Sequence, residues 1–346
     1  MENIFSEIVN ADKLNNKFKL LKESKLFDPA KILIENIAKN MVDLDGNYIE
    51  QFQSEGFDSR LWEMYLFNLF SELGFTQSNI YDRPDFQITK SNYEIFIEAS
   101  LSAEKKDDKY DYATIKRILG ENNLELQQEL MNYYIMRMGS VLFSKLSKKY
   151  WELEWVMNKP LIIAITPAHN YLAKFLPDAK LIEYLYGIKH KTALIDNKLE
   201  FLGIEYIKEF TLGSKTIPSN FFSQPYSENI SGIIFTNNSD LHKFNRMSYQ
   251  ASLSNENLVM VRSGLKYDPN EDAAPLDFTY QVIPKVISEK WYDDVTLFHN
   301  PNAIHKIDRV IFKDIRQVWI EEDGSIGGTI PDNFIFNSIT GVLGNL

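Results

Sequence analysis

The chain contains no cysteine. Disulfides, zinc thiolates, iron–sulfur clusters and a cysteine nucleophile are therefore excluded. Histidine is scarce, with five residues at 169, 190, 242, 299 and 305. Any metal chemistry must rest mainly on carboxylates. Long apolar runs are missing too. The stretch Leu161–Ile165 is among the longest, far below the ~20 residues that span a bilayer. The opening MENIFSEIVNADKLNNKFK carries charge from residue 2 and has no apolar signal core or small-residue cleavage site. The expectation is a cytoplasmic protein with no membrane partner. Basic residues are in deficit, with 37 Lys and Arg against 48 Asp and Glu, a formal charge of −11. That argues against coating nucleic acid through net charge, but leaves a local basic groove open.

The chain has 346 residues, 44% hydrophobic and 25% charged, the balance of a folded soluble protein. It shows no internal repeat and no low-complexity tract. Residues 1–45 read as helical, with Asp28-Pro29 as a helix start and Leu33, Ile34, Ile37, Ala38 and Met41 as an apolar stripe. Leu44-Asp45-Gly46-Asn47 reads as a turn. A second helix opens at Asp58 and stops at Gly74, burying Leu61, Trp62, Tyr65, Leu66, Leu69 and Leu73, with Glu63 on the edge of that face. Residues 84–100 read as a β-hairpin turning at Lys90-Ser91-Asn92. A mixed charged segment, 101–133, precedes a helix at about 134–152 and a buried strand at Leu161–Thr166. Later strands are expected at Gly232–Thr236, Leu258–Arg262 and Tyr280–Ile283, with a hairpin of Val310–Phe312 and Val318–Ile320. Strands interleaved with helices predict an α/β core with a mixed sheet. Three regions are expected: an N-terminal helical segment (1–54), a core (55–170) and a C-terminal α/β extension packed on it (171–346).

The hairpin carries the chemistry. A turn centred between Ser91 and Asn92 places Phe86 opposite Ile97 and Ile88 opposite Ile95, all four on one face. Asp85 then opposes Glu98 on the other face. Opposed side chains have Cβ atoms ~4.5–5.5 Å apart. Two carboxylates held that close repel unless a proton or a cation relieves them. Oxygen ligands suit Mg²⁺ or Mn²⁺. The plain alternative is a surface hairpin in another register with two solvated acids.

Pro84-Asp85, a 12-residue gap and Glu98-Ala99-Ser100 resemble the motif of the PD-(D/E)XK nuclease superfamily. Glu63 matches a helix glutamate that many members place near their metal. The order helix, hairpin, helix, strand is similar to the superfamily's common core over roughly residues 55–166. The segments RLWEMYLFNLFSELGF, RPDF, IFIEAS, FSKLSKKYWEL and KPLIIAI look like a family of mostly uncharacterised bacterial proteins. GIIFTNNSDLHKFNRM and LFHNPNAIH look like that family as well. The resemblance implies a restriction-endonuclease-like fold and a Mg²⁺- or Mn²⁺-dependent endonuclease, with Asp85, Glu98 and Glu63 at the metal. It also implies DNA as partner and a setting in restriction or anti-phage defence. One position departs from the motif, because its lysine is replaced by Ser100. Some members carry that lysine on the following helix.

Here the helix near 134–152 offers one. Met138, Val141, Leu142 and Leu146 mark its apolar face, and Lys145 and Lys149 project within it, with Lys148 on the edge. A lysine inside an apolar stripe must snorkel or find an acid. Lys145, deeper in the helix, is the preferred replacement. Lys105, Lys106, Lys109, Lys116, Arg117, Lys148 and Lys149 are candidate phosphate contacts, or else a solvated face. Lys243 and Arg246 join Asn237, Asn238 and Asn245 in a polar cluster read as loop-borne and substrate-contacting. Tyr133, Tyr134, Tyr150 and Trp151 suit base stacking or core packing. His299 and His305 bracket a turn. A hydrolase built on His169 or His242 finds no supporting motif. The expected function is a metal-dependent nuclease acting on DNA, with double-strand cutting favouring a homodimer. The alternative is an inactive nuclease-fold module that binds DNA or assembles with a defence-system partner.

Overall fold

The computed structural model describes the chain apart from residues 2, 79, 105–109, 122, 170, 197, 255–256, 271–272 and 345–346. The N-terminal part is helical: α1 (Asn16–Glu23), α2 (Asp28–Asn40), α3 (Tyr48–Gln53) and α4 (Phe57–Glu72). Then come β1 (Thr76–Ser78), β2 (Phe86–Lys90), β3 (Tyr93–Ala103), α5 (Tyr112–Gly120), α6 (Leu124–Leu146), β4 (Leu161–Ala168) and α7 (Asp178–Tyr186). Two hairpins follow, β5 (Ile188–Ile195) with β6 (Lys198–Tyr206) and β7 (Glu209–Leu212) with β8 (Lys215–Pro218). The remainder is β9 (Gly232–Phe235), α8 (Leu241–Gln250), β10 (Leu258–Lys266), β11 (Leu276–Gln281), β12 (Thr296–His299), β13 (Arg316–Ile320), β14 (Ile326–Thr329) and β15 (Ile335–Gly344).

The local signals act where they were read. Pro29 sits in the first turn of α2, where a missing N–H costs nothing. Gly46 turns the chain at φ +70°, and Asp43 accepts its N–H at 2.8 Å. Ser91 and Asn92 both adopt positive φ, 50° and 63°. A two-residue turn of that kind matches the right-handed twist of the flanking strands. The resulting register pairs Phe86 with Ile97 and Ile88 with Ile95, as the sequence predicts.

One mixed sheet runs in the order β1-β2-β3-β4-β9-β12-β13-β14. Strands from beyond residue 170 continue it across β4. β4 lies parallel to both β3 and β9, and Leu161 to Ile165 are all buried. A strand covered on both faces reads as one apolar run rather than an alternation. The odd residues of β3, Ile95 and Ile97, face a core shared with α2, α4 and α8. Its even residue Phe96 faces the second core, with α5, α6 and α7. Trp62 of α4 donates its indole N–H to the Ala164 carbonyl at 3.3 Å, tying that helix to the central strand. Gly139 of α6 is closely approached: a Cβ there would lie 2.8 Å from the Tyr184 ring of α7 and 3.0 Å from Ile217 of β8. The missing side chain lets α7 and the β7–β8 hairpin close on α6.

Three expectations are corrected. Arg309–Phe312 is a short 3₁₀ turn, not a strand, and β13 pairs in parallel with β12. A parallel neighbour cannot be reached by a tight hairpin. The Gln317 amide instead binds the carbonyls of Arg309 and Phe312, both at 3.0 Å. Helix α6 starts at Leu124 and stops at Leu146, so Lys148 and Lys149 lie beyond it. Lys149 has φ 51°, pairs with Glu152 at 3.2 Å, and cannot enter the helix face.

The third correction concerns Lys243 and Arg246. Both sit in α8 and are buried in an ion cluster, not on a loop open to phosphates. Lys243 Nζ lies 2.8 Å from Glu289, and Arg246 Nε meets the other Glu289 oxygen at 2.8 Å. Arg262 of β10 approaches Glu289 at 3.0 Å, and Asp294 lies 3.4 Å from Lys243. Burial alone would raise the Glu289 carboxyl, yet Arg246, Arg262 and Lys243 hold it well below the usual range. Asn237, Asn238 and Asn245 are buried as well, and Asn245 bonds Ala30 N–H and Leu26 C=O at the start of α2. None of the described helices is long and apolar enough to cross a membrane. Removing the central acid leaves three buried cations short of a partner, a loss of about 3–5 kcal/mol. Glu289→Ala is therefore expected to lower unfolding free energy by that amount in urea titrations. A loss under ~1 kcal/mol would show that the cluster is not structural.

Candidate active site

Strand β2 begins at Phe86, so its last ladder pair with β3 is Phe86 with Ile97. Beyond that pair the Ala99 N–H has no strand partner on the β2 side. The Asp85 carboxylate takes its place and accepts that N–H at 2.7 Å. Asp85 thus reaches β3 from the residue before the strand, not as a laddered cross-strand partner. The juxtaposition with Glu98 expected from the register is still made. Hydrogen bonding to Glu98 favours ionised Asp85, and charge on Asp85 raises Glu98.

The two helical layers each add a group. Glu98 belongs to the even face of β3 and is buried. Lys145, from the last turn of α6, places Nζ 2.5 Å from Glu98 Oε1. The Tyr150 hydroxyl donates to the same oxygen at 3.0 Å. From the opposite layer, Glu63 of α4 is close enough to feel both Asp85 and Glu98. It is clasped by Arg60, whose guanidinium nitrogen lies 3.0 and 2.8 Å from its two oxygens. Arg60 and the Tyr150 hydroxyl escape the motif. The i, i+3 spacing of Arg60 and Glu63 is the one sequence signal for the clasp. Tyr150 gives none, because it enters from a 3₁₀ turn after α6.

Three carboxyls facing two cations leave a surplus of negative charge. Burial pushes Glu63 up to about 7, and the charge on Asp85 adds to it, against the pull of Arg60. Glu98 is pushed up to about 7 by burial and then by Asp85, against the pull of Lys145. The Asp85 carboxyl is raised as well by the atoms packed around it. The residue as a whole is open to solvent, which screens the effect, so this shift carries the least weight.

The donor set, all oxygen and net negative, suits a hard divalent cation. Asp43, Tyr48, Arg60, Glu63, Asp82 and Asp85 line a small cavity of about 90 Å³ beside it, room for an ion with part of its water. Among the described residues, however, no three His, Asp or Glu side chains converge as a ready metal-ligand group.

The other expected residues scatter. Lys105, Lys106 and Lys109 lie outside the described residues. Lys116 and Arg117 are exposed on α5, and Arg117 pairs with Glu121 at 3.0 Å. Lys148 is exposed after α6. Tyr133 and Tyr134 pack against His169 in the core. His169 Nδ1 lies 2.5 Å from the Ser102 hydroxyl. His242 packs on the Phe27 ring and His299 binds Gln317, both away from the carboxylates.

The raised carboxyls have a consequence for stability. They titrate near 7 in the folded chain and near 4.5 when unperturbed. Between those values the folded chain holds the extra protons. Their contribution is complete below about pH 4.5 and is lost as pH rises to about 7, on the order of 3 kcal/mol for each carboxyl. Thermal unfolding is expected to show Tm falling across that window. Glu98→Gln should flatten the slope and unfold later than wild type at pH 8. An unchanged slope would show that Glu98 does not hold a displaced proton. Searches of family models, curated proteins and solved structures found nothing that matches this chain.

Proposed function

We propose that the chain is a metal-dependent phosphodiesterase of restriction-endonuclease-like fold that hydrolyses DNA. The observation that carries this reading is the amine of Lys145, 2.5 Å from Glu98 and beside Asp85. The lysine absent at Ser100 is supplied from α6. Asp85 and Glu98 would hold Mg²⁺ or Mn²⁺, with Glu63 close by. A bound divalent ion supplies Lewis acidity at phosphate and acidifies water. The residues do the rest. Glu98 gives up its extra proton to solvent as pH passes about 7, Lys145 turns from Glu98 to offset charge growing on the phosphate, and Tyr150 keeps Glu98 oriented.

The Arg60 clasp and the lack of a convergent ligand trio among the described residues favour a second reading. In it the module keeps the fold and binds DNA without cutting. One assay separates the two. Purified protein with Mg²⁺ or Mn²⁺ and single- or double-stranded DNA is expected to cleave, with activity rising with pH through about 7. Asp85→Ala and Lys145→Ala should each lower the rate at least ~10²-fold. Cleavage that survives both substitutions overturns the assignment. Metal-independent DNA binding with no cleavage supports the second reading.

A further inference from the structure

Lys145 faces two places. On one side lies Glu98. On the other is a cleft of about 540 Å³ between the far half of β3, helix α6 and the β7–β8 hairpin. Arg137, Ser140, Ser144 and Lys145 line it from α6, Ser100 from β3 and Lys215 from the start of β8. The spacing 137, 140, 144 places these residues on one helix face. Lys215 reaches across to the Ser140 hydroxyl at 3.3 Å, closing the outer rim. Arg137 donates to the Ala103 carbonyl and lies over the Tyr133 ring, 5.9 Å from its centre. Among the described residues the lining holds three cations, of which Lys145 also pairs with Glu98, several hydroxyls and one acid, Glu104, on a chain of net charge −11. The cleft falls within the ~300–1,000 Å³ of small-ligand sites.

We infer that this cleft binds the phosphate and sugar of one unpaired nucleotide flanking the bond to be cut. The inference rests on the nuclease reading only for the word "flanking". The cationic cleft stands by itself as an anion site of nucleotide size. Arg137 and Lys215 take the phosphate, as charge-assisted donors do, and Ser140 and Ser144 add hydroxyl donors. Met136, Val141 and Leu212 provide the apolar side against which sugar and base rest. At about 540 Å³ between α6 and the hairpin, the cleft is sized for one nucleotide and not for a base pair. The substrate class that follows is a single-stranded end or an unpaired stretch.

The test is fluorescence anisotropy with a labelled, 5′-phosphorylated thymidine hexanucleotide, in EDTA so that no cleavage intervenes. Arg137→Gln and Lys215→Ala are each expected to weaken binding about five- to tenfold. Each should also lower the slope of log affinity against log salt by about 0.7, the value for one lost cation on a single strand. Lys313→Ala, on an exposed residue away from the cleft, should change nothing. A blunt duplex of the same sequence should bind more weakly and ignore the cleft substitutions. Lys215 is exposed at the first residue of β8, so its variant carries the test even if Arg137→Gln fails to fold. Variants that bind the hexanucleotide like wild type overturn the cleft, whether or not the protein cleaves DNA. Cleft-dependent binding without cleavage under either metal keeps the cleft and removes the catalytic reading.

Discussion

The two-residue turn at Ser91–Asn92 sets the register on which the site depends. Side chains alternate along a strand, so a slip of one residue would exchange the two faces of β3. Ile95 and Ile97 would leave the α4 core, and Glu98 would enter it. The observed register pairs Phe86 with Ile97 and ends there. That leaves the Ala99 N–H for Asp85 and presents Glu98 to α6. The carboxylate geometry is thus fixed by apolar burial, which sequence patterning controls, and not by attraction among the charged groups.

Two charged clusters in this chain show opposite balances. In the cluster around α8, Lys243, Arg246 and Arg262 surround Glu289 and Asp294, and Glu289 is held ionised. Cations exceed acids, every acid is paired, and the result is a structural knot between α8, β10 and the segment before β12. At the hairpin, Arg60 and Lys145 face Glu63, Asp85 and Glu98, and acids exceed cations. Two of these carboxyls are pushed up to about 7. A surplus of close carboxyls is unfavourable for the fold alone, which is why such clusters mark candidate sites. The cationic cleft beyond Lys145 lies against that acidic end, so positive and negative regions meet at one lysine.

Much of this was legible in sequence because it is local. The hairpin turn, the apolar face of α4, the start of α2 and the buried run of β4 all follow from period and turn chemistry. Lys145 was legible because a lysine in an apolar stripe needs an acid, and the strand it packs against offers one. What failed was long-range. Lys243 and Arg246 read as polar loop residues, since nothing local announces that Glu289 and Asp294 fold back over α8. β12 was missed because four residues pairing with strands before and after it give no periodic signal. The sequence starts helix α6 too late and carries it past its true end at Leu146, because Tyr150 and Trp151 continue its apolar character past the point where Lys149 turns left-handed. Lys215 belongs to a hairpin whose docking on α6 depends on Gly139, a tertiary fact with no spacing to reveal it.

The central claim is that the hairpin carboxylates form a site for a divalent cation. Calorimetric titration of the protein with Mn²⁺ at pH 8 tests it most directly, independent of any substrate. The account predicts one binding event that releases protons when repeated near pH 7 and disappears in Asp85→Asn and in Glu98→Gln. No Mn²⁺ binding by the wild-type chain, or binding unchanged in both variants, would contradict it.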